Sequence, residues 1–342
     1  MSSKFIMILL IPALMSLWSL NTFAQKRMEN IPANEINEQT LNSNVPQLSY
    51  HKNYIPNDDS INPILKDSVV ITDNTVPVNK INISRLGIVT GASAVILGGI
   101  YYRWKTAWWN DGTTNFHIDY NYTYIDNVDK VGHLYGGILF TECFGVGLRW
   151  AGLSEESSLL FGGVLSTLVY TGVELKDGFS PTWGFDPLDL GASVIGAFYP
   201  YVQKKIPFLQ NFNFKWSYYP SNSTYYNNMN KENRNNQFFN DDYEGQTFWV
   251  TANLKNLIPQ KINSFLPDFL NLALGISVEN LADPLNKHRV FILSPDIDIT
   301  KLIQTDSGIL NEFLRLLNYI HLPLPAIRVS PDFKAYALYL KP

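Results

Sequence analysis

Seven residues carry the chemistry that this chain offers. Asp129, Lys130 and His133 open one apolar stretch, Glu174 and Asp177 close the next, and Asp186 and Asp189 open the one after it. One imidazole with several carboxylates suits a hard or borderline divalent cation. The same set suits general acid–base work by Glu174 or His133, with proton affinities moved by burial. A purely structural role competes with both. Asp129 and Asp189 would then cap helices, and Lys130 would pair with Glu174 or Asp177. No cofactor is predicted from a complete motif, and a divalent cation is what these donors would accept. There is no G-x-S-x-G elbow, P-loop or H-E-x-x-H.

Four apolar segments rich in small residues must position these groups. They run Leu86–Trp104, Lys130–Trp150, Glu155–Leu175 and Pro187–Gln203, each long enough to cross a hydrocarbon core. Their ends are punctuated. Asp129 is a candidate cap for the second, and Ser154 with Glu155 and Glu156 opens the third. Pro187 suits the first turn of the fourth, and Gly152 and Gly178 are stops. Short loops make consecutive helices antiparallel. The second helix therefore starts where the third ends and the fourth starts, so the seven residues converge at one end of the bundle. The first helix ends there too, with Trp108 and Trp109. The loop 105–128 with His117 would cover that end, making Trp108, Trp109 and His117 a candidate aromatic rim. Behind the cluster, Gly136, Gly137, Gly147 and Gly163 allow close helix packing. Glu142 and Arg149 share a helix face and read as an internal pair.

Beyond Pro207 the pattern alternates. Phe212–Tyr218, Thr247–Ala252, Leu270–Val278, Val290–Leu293 and Phe333–Leu340 read as strands, with an Asn/Tyr-rich loop over 221–240 and a short amphipathic helix at Leu310–Ile320. His321, ahead of Pro323 and Pro325, reads as a loop residue. The predicted fold class is α+β: a four-helix apolar bundle (83–205) followed by a β-rich C-terminal region (206–342).

The N-terminus reads as a targeting segment. Lys4 precedes an apolar run from Phe5, and Thr22-Phe23-Ala24 places small residues for cleavage, so residues 1–24 are a signal peptide. Residues 25–82 are a polar, largely disordered tail in which Val69–Ile71 could form one short strand. No cysteine follows the apolar run for lipid attachment. The single Cys143 excludes a disulfide scaffold and is expected to be buried.

Composition agrees with an envelope protein. The 342 residues carry 16% charged side chains, 14% aromatics and a net charge of −4. Soluble domains average nearer 25% charged. A nucleic-acid partner is excluded, because nothing supplies a phosphate-neutralising surface.

Asp129-Lys-Val-Gly-His133, Glu174-Leu-Lys-Asp-Gly-Phe-Ser180 and Trp183-Gly-Phe-Asp-Pro-Leu-Asp189 resemble the YfiM-like predicted periplasmic lipoproteins, a domain of unknown function. Later blocks (Phe116-His117, Lys215–Ser221, Asp242–Trp249, Asp296–Lys301) resemble the longer form of that family from Bacteroidetes-type bacteria. There is a fainter likeness to VanZ-like membrane proteins. Ser193 stands where these families tend to carry Asn. The resemblance implies an envelope location and the same polar end, and it implies no reaction.

Location follows from these readings. The protein is exported and lies in the periplasm or against the outer membrane. Inner-membrane spanning is disfavoured, because the loop that would face the cytoplasm carries Asp111, Asp119, Asp126 and Asp129 against Lys105 and Lys130. The bundle then packs on the β-rich region, or the strands form a membrane barrel. Membrane or envelope lipid is the expected partner, with a protein partner as a further option. The expected function is a non-enzymatic component that binds lipid, glycan or protein. The alternative is a membrane-proximal hydrolase or transferase acting on lipid or cell-wall precursors through the Asp/His/Glu cluster.

Overall fold

Three helices and a six-stranded sheet share one long central helix, and a fourth helix lies almost alone at the margin. The structure is a computed structural model that describes residues 80–221, 223–226, 239–259 and 264–340. The signal peptide, the tail up to residue 79 with its Val69–Ile71 strand, and most of the 221–240 loop lie outside the described residues.

Helix α1 (Ile83–Ala107) starts at Asn82, whose side chain accepts the Arg85 N–H at 3.0 Å. From Leu86 to Ile100 its residues are Gly, Ala, Val, Ile and Leu apart from Thr90 and Ser93, so that stretch has no polar side to turn to water. At 1.5 Å per residue its 25 residues span about 37 Å. It touches the rest of the fold at its two ends: at the far end Ala107 is buried and the Trp104 ring stacks on Trp108 at 5.4 Å. Asn82 N–H donates to Ala151 O (2.8 Å), Arg85 reaches Trp150 O (3.2 Å), and Val89 packs over Gly147.

Helices α2 (Val128–Trp150), α3 (Glu155–Gly178) and α4 (Pro187–Lys205) form the tight bundle. Their glycines let backbones meet. A methyl group on Gly162 would sit 2.6 Å from Thr141 O, one on Gly163 would sit 2.9 Å from Ala197 O, and one on Gly196 would collide with Leu134 O. Small hydroxyls stitch the same contacts, as in membrane bundles: Thr141 reaches Ala197 O (2.8 Å) and Ser166 donates to Gly137 O (3.0 Å). Ser154 caps α3 and Pro187 occupies the first turn of α4, as expected.

The start of α2 differs from expectation. Asn127, at φ 63°, is the cap, and Asp129 lies inside the first turn with its carboxylate turned away from the backbone. Ile125, Asp126 and Asn127 all have positive φ, a run that reverses the chain into the helix. Cys143 also departs from expectation: it is exposed on the outer surface of α2, because the buried faces of α2 point to α3, α4 and the sheet.

The sheet is an antiparallel meander in sequence order: β1 (Phe212–Tyr218), β2 (Gln246–Ala252), β3 (Leu270–Glu279), β4 (His288–Ile297), β5 (Ala326–Ser330) and β6 (Lys334–Tyr336). Helix α5 (Gly308–Leu317) connects β4 to β5. The main core joins the two halves. Val128, Tyr135 and Ile138 of α2 pack with Phe248, Val278, Leu281 and Tyr319. Glu142 and Arg149 form the expected pair (3.3 Å), and Arg149 also forks onto Glu312 of α5 at 2.7 Å to each oxygen. A buried pair of charges, Lys215 and Asp296 (3.0 Å), lies on the inner face of the sheet.

His321 lies in a loop, as read, but it is not free there. It is buried, with its ring stacked on Trp249 at 3.9 Å between centroids. Burial lowers its pKa from 6.5 to about 4. Between those values the unfolded chain binds a proton that the folded chain refuses, so stability falls as pH drops from about 6.5 to 4. The drop amounts to about 3 kcal/mol. His321→Phe should flatten that part of the unfolding profile, read as Tm against pH. An unchanged slope would contradict the assignment.

Candidate functional site

The site lies where α2 and α4 begin and α3 ends, which is the convergence expected from connectivity. Lys130 is its hub. Its Nζ lies 2.9 Å from Asp186 Oδ2, 2.9 Å from Asp189 Oδ1 and 3.7 Å from Asp129 Oδ2. The expected pairing of Lys130 with Glu174 or Asp177 is therefore not what forms. The start of α4 brings its two aspartates closer than the end of α3 brings its acids.

His133 lies one turn into α2. Its Nδ1 is 3.1 Å from Ser193 Oγ of α4 and 3.9 Å from Glu174 Oε1, and its Nε2 is 3.9 Å from Asp129 Oδ1. Ser193 thus supplies a hydroxyl contact to the imidazole. Glu174 is buried and accepts the Asp186 N–H at 3.1 Å, which ties the end of α3 to the start of α4. Asp177 accepts a 2.6 Å hydrogen bond from Trp109 Nε1.

Two aromatic residues complete the lining, Tyr243 from outside the bundle and Tyr170 from α3. Tyr243, between β1 and β2, donates its hydroxyl to Asp129. The Tyr170 ring lies 5.7 Å from the His133 ring. Tyr243 was not singled out from sequence, although the block Asp242–Trp249 that contains it was. Trp108 turns outward from the cluster, and its Nε1 donates to Asp241 (2.8 Å). His117 is exposed. Its ring bonds only locally, to Asn115 O (3.3 Å), while its backbone joins Gly178 O and Phe185 N–H and so lays the covering loop across the bundle end.

Five carboxylates share this space with Lys130 and one imidazole, so negative charge is in excess. The two aspartates on α4 respond differently. Burial, and next the facing Asp129, push Asp189 up to about 6 despite Lys130. Burial also raises Asp186, but hydrogen bonds from Lys130 and the Leu188 N–H outweigh it and hold Asp186 below the usual carboxylate range. The carboxylates of Asp129 and Asp189 and the His133 imidazole each offer a ligand atom within 4.8 Å of the others. This spacing suits one small cation, or a proton passed between acid and imidazole.

At the opposite end of the bundle a polar cleft of about 610 Å³ is lined by Glu142, Glu155, Lys204, Arg315 and Tyr319 among others. Its charges neutralise one another: Glu155 is held by Lys204 (2.6 Å) and Arg315 (2.9 Å). The unbalanced charge lies at the first end.

Fold and site define a helical bundle with a polar end, joined to an antiparallel sheet. Residues 116–205, which take in the second half of the covering loop and α2–α4, match the family model of a predicted periplasmic lipoprotein (DUF2279). The matched segment carries all seven polar-cluster residues, and it agrees with the resemblance drawn from the three motifs. A periplasmic location is thereby supported. No curated protein and no solved structure matches the chain.

Proposed function

We propose that the protein is a membrane-associated, non-enzymatic component of the bacterial envelope that binds lipid, with glycan or a protein partner as further ligands. The observation that carries this reading is α1. It is long and apolar enough to cross a bilayer, and none of its apolar window is buried by the rest of the fold. An apolar helix of this length left in water would expose far more apolar surface than soluble proteins tolerate. Helix α3 adds Phe161, Val164 and Leu168 on its outer side, all exposed. The test is flotation of the purified full chain with phosphatidylethanolamine–phosphatidylglycerol vesicles. The chain should rise with the lipid, and a chain left at the bottom of the gradient overturns the reading.

A second reading is favoured by one specific observation, the ligand spacing of Asp129, His133 and Asp189 within 4.8 Å. On this reading the polar end holds a divalent cation, with Glu174 as acid or base beside it, and serves a hydrolase or transferase acting on envelope precursors. Two carboxylates and an imidazole favour a borderline ion such as Mn²⁺ or Zn²⁺. Protein equilibrated with either ion and desalted should retain about one equivalent, and His133→Ala should lower retention roughly tenfold or more. Equal retention by both proteins, or none by either, removes the cation version.

A further inference from the structure

The polar cleft at the opposite end of the bundle keeps its charges paired and leaves amide groups idle. It lies among the start of α3, the end of α4, the sheet and α5. Its volume of about 610 Å³ falls within the range of roughly 300–1,000 Å³ typical of small-ligand clefts. Each acid that lines it has a partner inside the fold. Glu142 accepts the Tyr319 hydroxyl (3.2 Å) and pairs with Arg149 (3.3 Å), and Asp298 accepts the Thr300 N–H (3.0 Å). Glu155 takes both lining cations, Lys204 and Arg315. An ionic ligand would have to break one of these pairs.

The amides differ. Asn318 lines the cleft and is only 9% exposed. Its Oδ1 accepts from Lys215 Nζ (3.0 Å) and from the Ile299 N–H (2.9 Å), which fixes the direction of the amide. Its Nδ2 then has no hydrogen-bond partner among the described residues, although the atom is not sealed from solvent. A buried donor left idle is costly, so an acceptor brought by a ligand is favoured there. Gln203 of α4 is the counterpart. Its Nε2 donates to Leu209 O (3.3 Å) and Phe212 O (2.5 Å), which leaves Oε1 as an acceptor with no partner among the described residues. Asn311 of α5 repeats the pattern at an exposed position: Nδ2 donates to Thr305 O (2.9 Å) and Oδ1 is idle.

The cleft thus presents neutral donors and neutral acceptors, each held by internal hydrogen bonds. A hydroxyl donates and accepts at once without charge, and a sugar ring carries several. Phe212, also in the lining, adds an aromatic face for the C–H side of such a ring. We propose that this cleft binds a neutral saccharide. This rests on the glycan part of the function proposed above and needs none of its lipid part.

The test is isothermal titration calorimetry on the detergent-solubilised full chain. Chitotriose and maltotriose serve as neutral saccharides, trigalacturonate as an acidic one and trialanine as a peptide. At least one neutral saccharide should bind with a Kd of about 1 mM or tighter. Asn318→Asp keeps the oxygen used by Lys215 and Ile299 and exchanges the idle donor for an acceptor, so binding should weaken about tenfold or more. Asn311→Trp changes only an exposed position and narrows the cleft from outside, so it should weaken binding similarly at unchanged Tm, whether or not the first variant folds. Saccharide binding retained by Asn311→Trp and by folded Asn318→Asp places the glycan elsewhere, which removes the cleft and leaves the glycan reading standing. Heat from trigalacturonate or trialanine alone makes the cleft an anion or peptide site and overturns the proposal. No heat from any saccharide overturns it together with the glycan reading, while vesicle flotation still decides lipid association.

Discussion

Replacing Ile88 and Val95 with aspartate should release the protein from membranes. The two side chains are 50% and 76% exposed, so the fold loses little when they change. A bilayer would respond strongly. A carboxylate at the centre of a spanning helix, where Val95 lies, costs about 2.5–3.5 kcal/mol, and Ile88 nearer the end adds to it, so the pair costs upward of about 3 kcal/mol, or more than a hundredfold in partition. The contacts that hold α1 to the bundle, through Asn82, Arg85 and Val89, are untouched. The double variant should therefore keep its circular dichroism spectrum and stay at the bottom of a flotation gradient. Unchanged flotation would place the lipid contact elsewhere and remove α1 as the anchor.

The second large effect is expected in the sheet. Lys215 Nζ is held by Asp296 Oδ1 at 3.0 Å, Ile297 O at 2.8 Å and Asn318 Oδ1 at 3.0 Å, with no exposure to solvent. Lys215→Met removes the cation and leaves the Asp296 carboxylate buried without its partner. Breaking a buried pair in this way costs about 3–5 kcal/mol, far more than the pair itself contributes to stability. The double variant Lys215→Met, Asp296→Leu removes both charges, and it should recover most of the loss in urea unfolding followed by tryptophan fluorescence. A single variant as stable as the parent would mean that Asp296 reaches water by another route.

The helical half was legible in sequence because its punctuation is chemical. Ser154, Asp186 and Pro187 mark helix starts, and short loops between apolar segments force the antiparallel order that gathers Asp129, His133, Glu174 and Asp189. What sequence could not supply is the choice among partners at one crowded end. Lys130 had four acids within plausible reach, and the pairing turned on the path of the 179–186 loop. Tyr243 arrives from more than a hundred residues away, and no local pattern announces that contact. β5 was missed for a different reason. Its five residues follow Pro323 and Pro325 closely, and a strand that short carries too little alternation to stand out. Cys143 was expected inside because cysteine is usually buried. It sits instead on the outer surface of α2.

The low charge content now has a location. Exposed apolar residues lie along α1 and α3, while buried ionisable groups sit at one bundle end, at the Glu142–Arg149 pair and at the Lys215–Asp296 pair of the sheet. On the proposed function the exposed apolar surface meets lipid. Alkaline carbonate extraction of envelopes from cells making the full chain tests this most directly. The account predicts that the protein remains in the membrane pellet and dissolves only with detergent. Recovery in the soluble periplasmic fraction would contradict it.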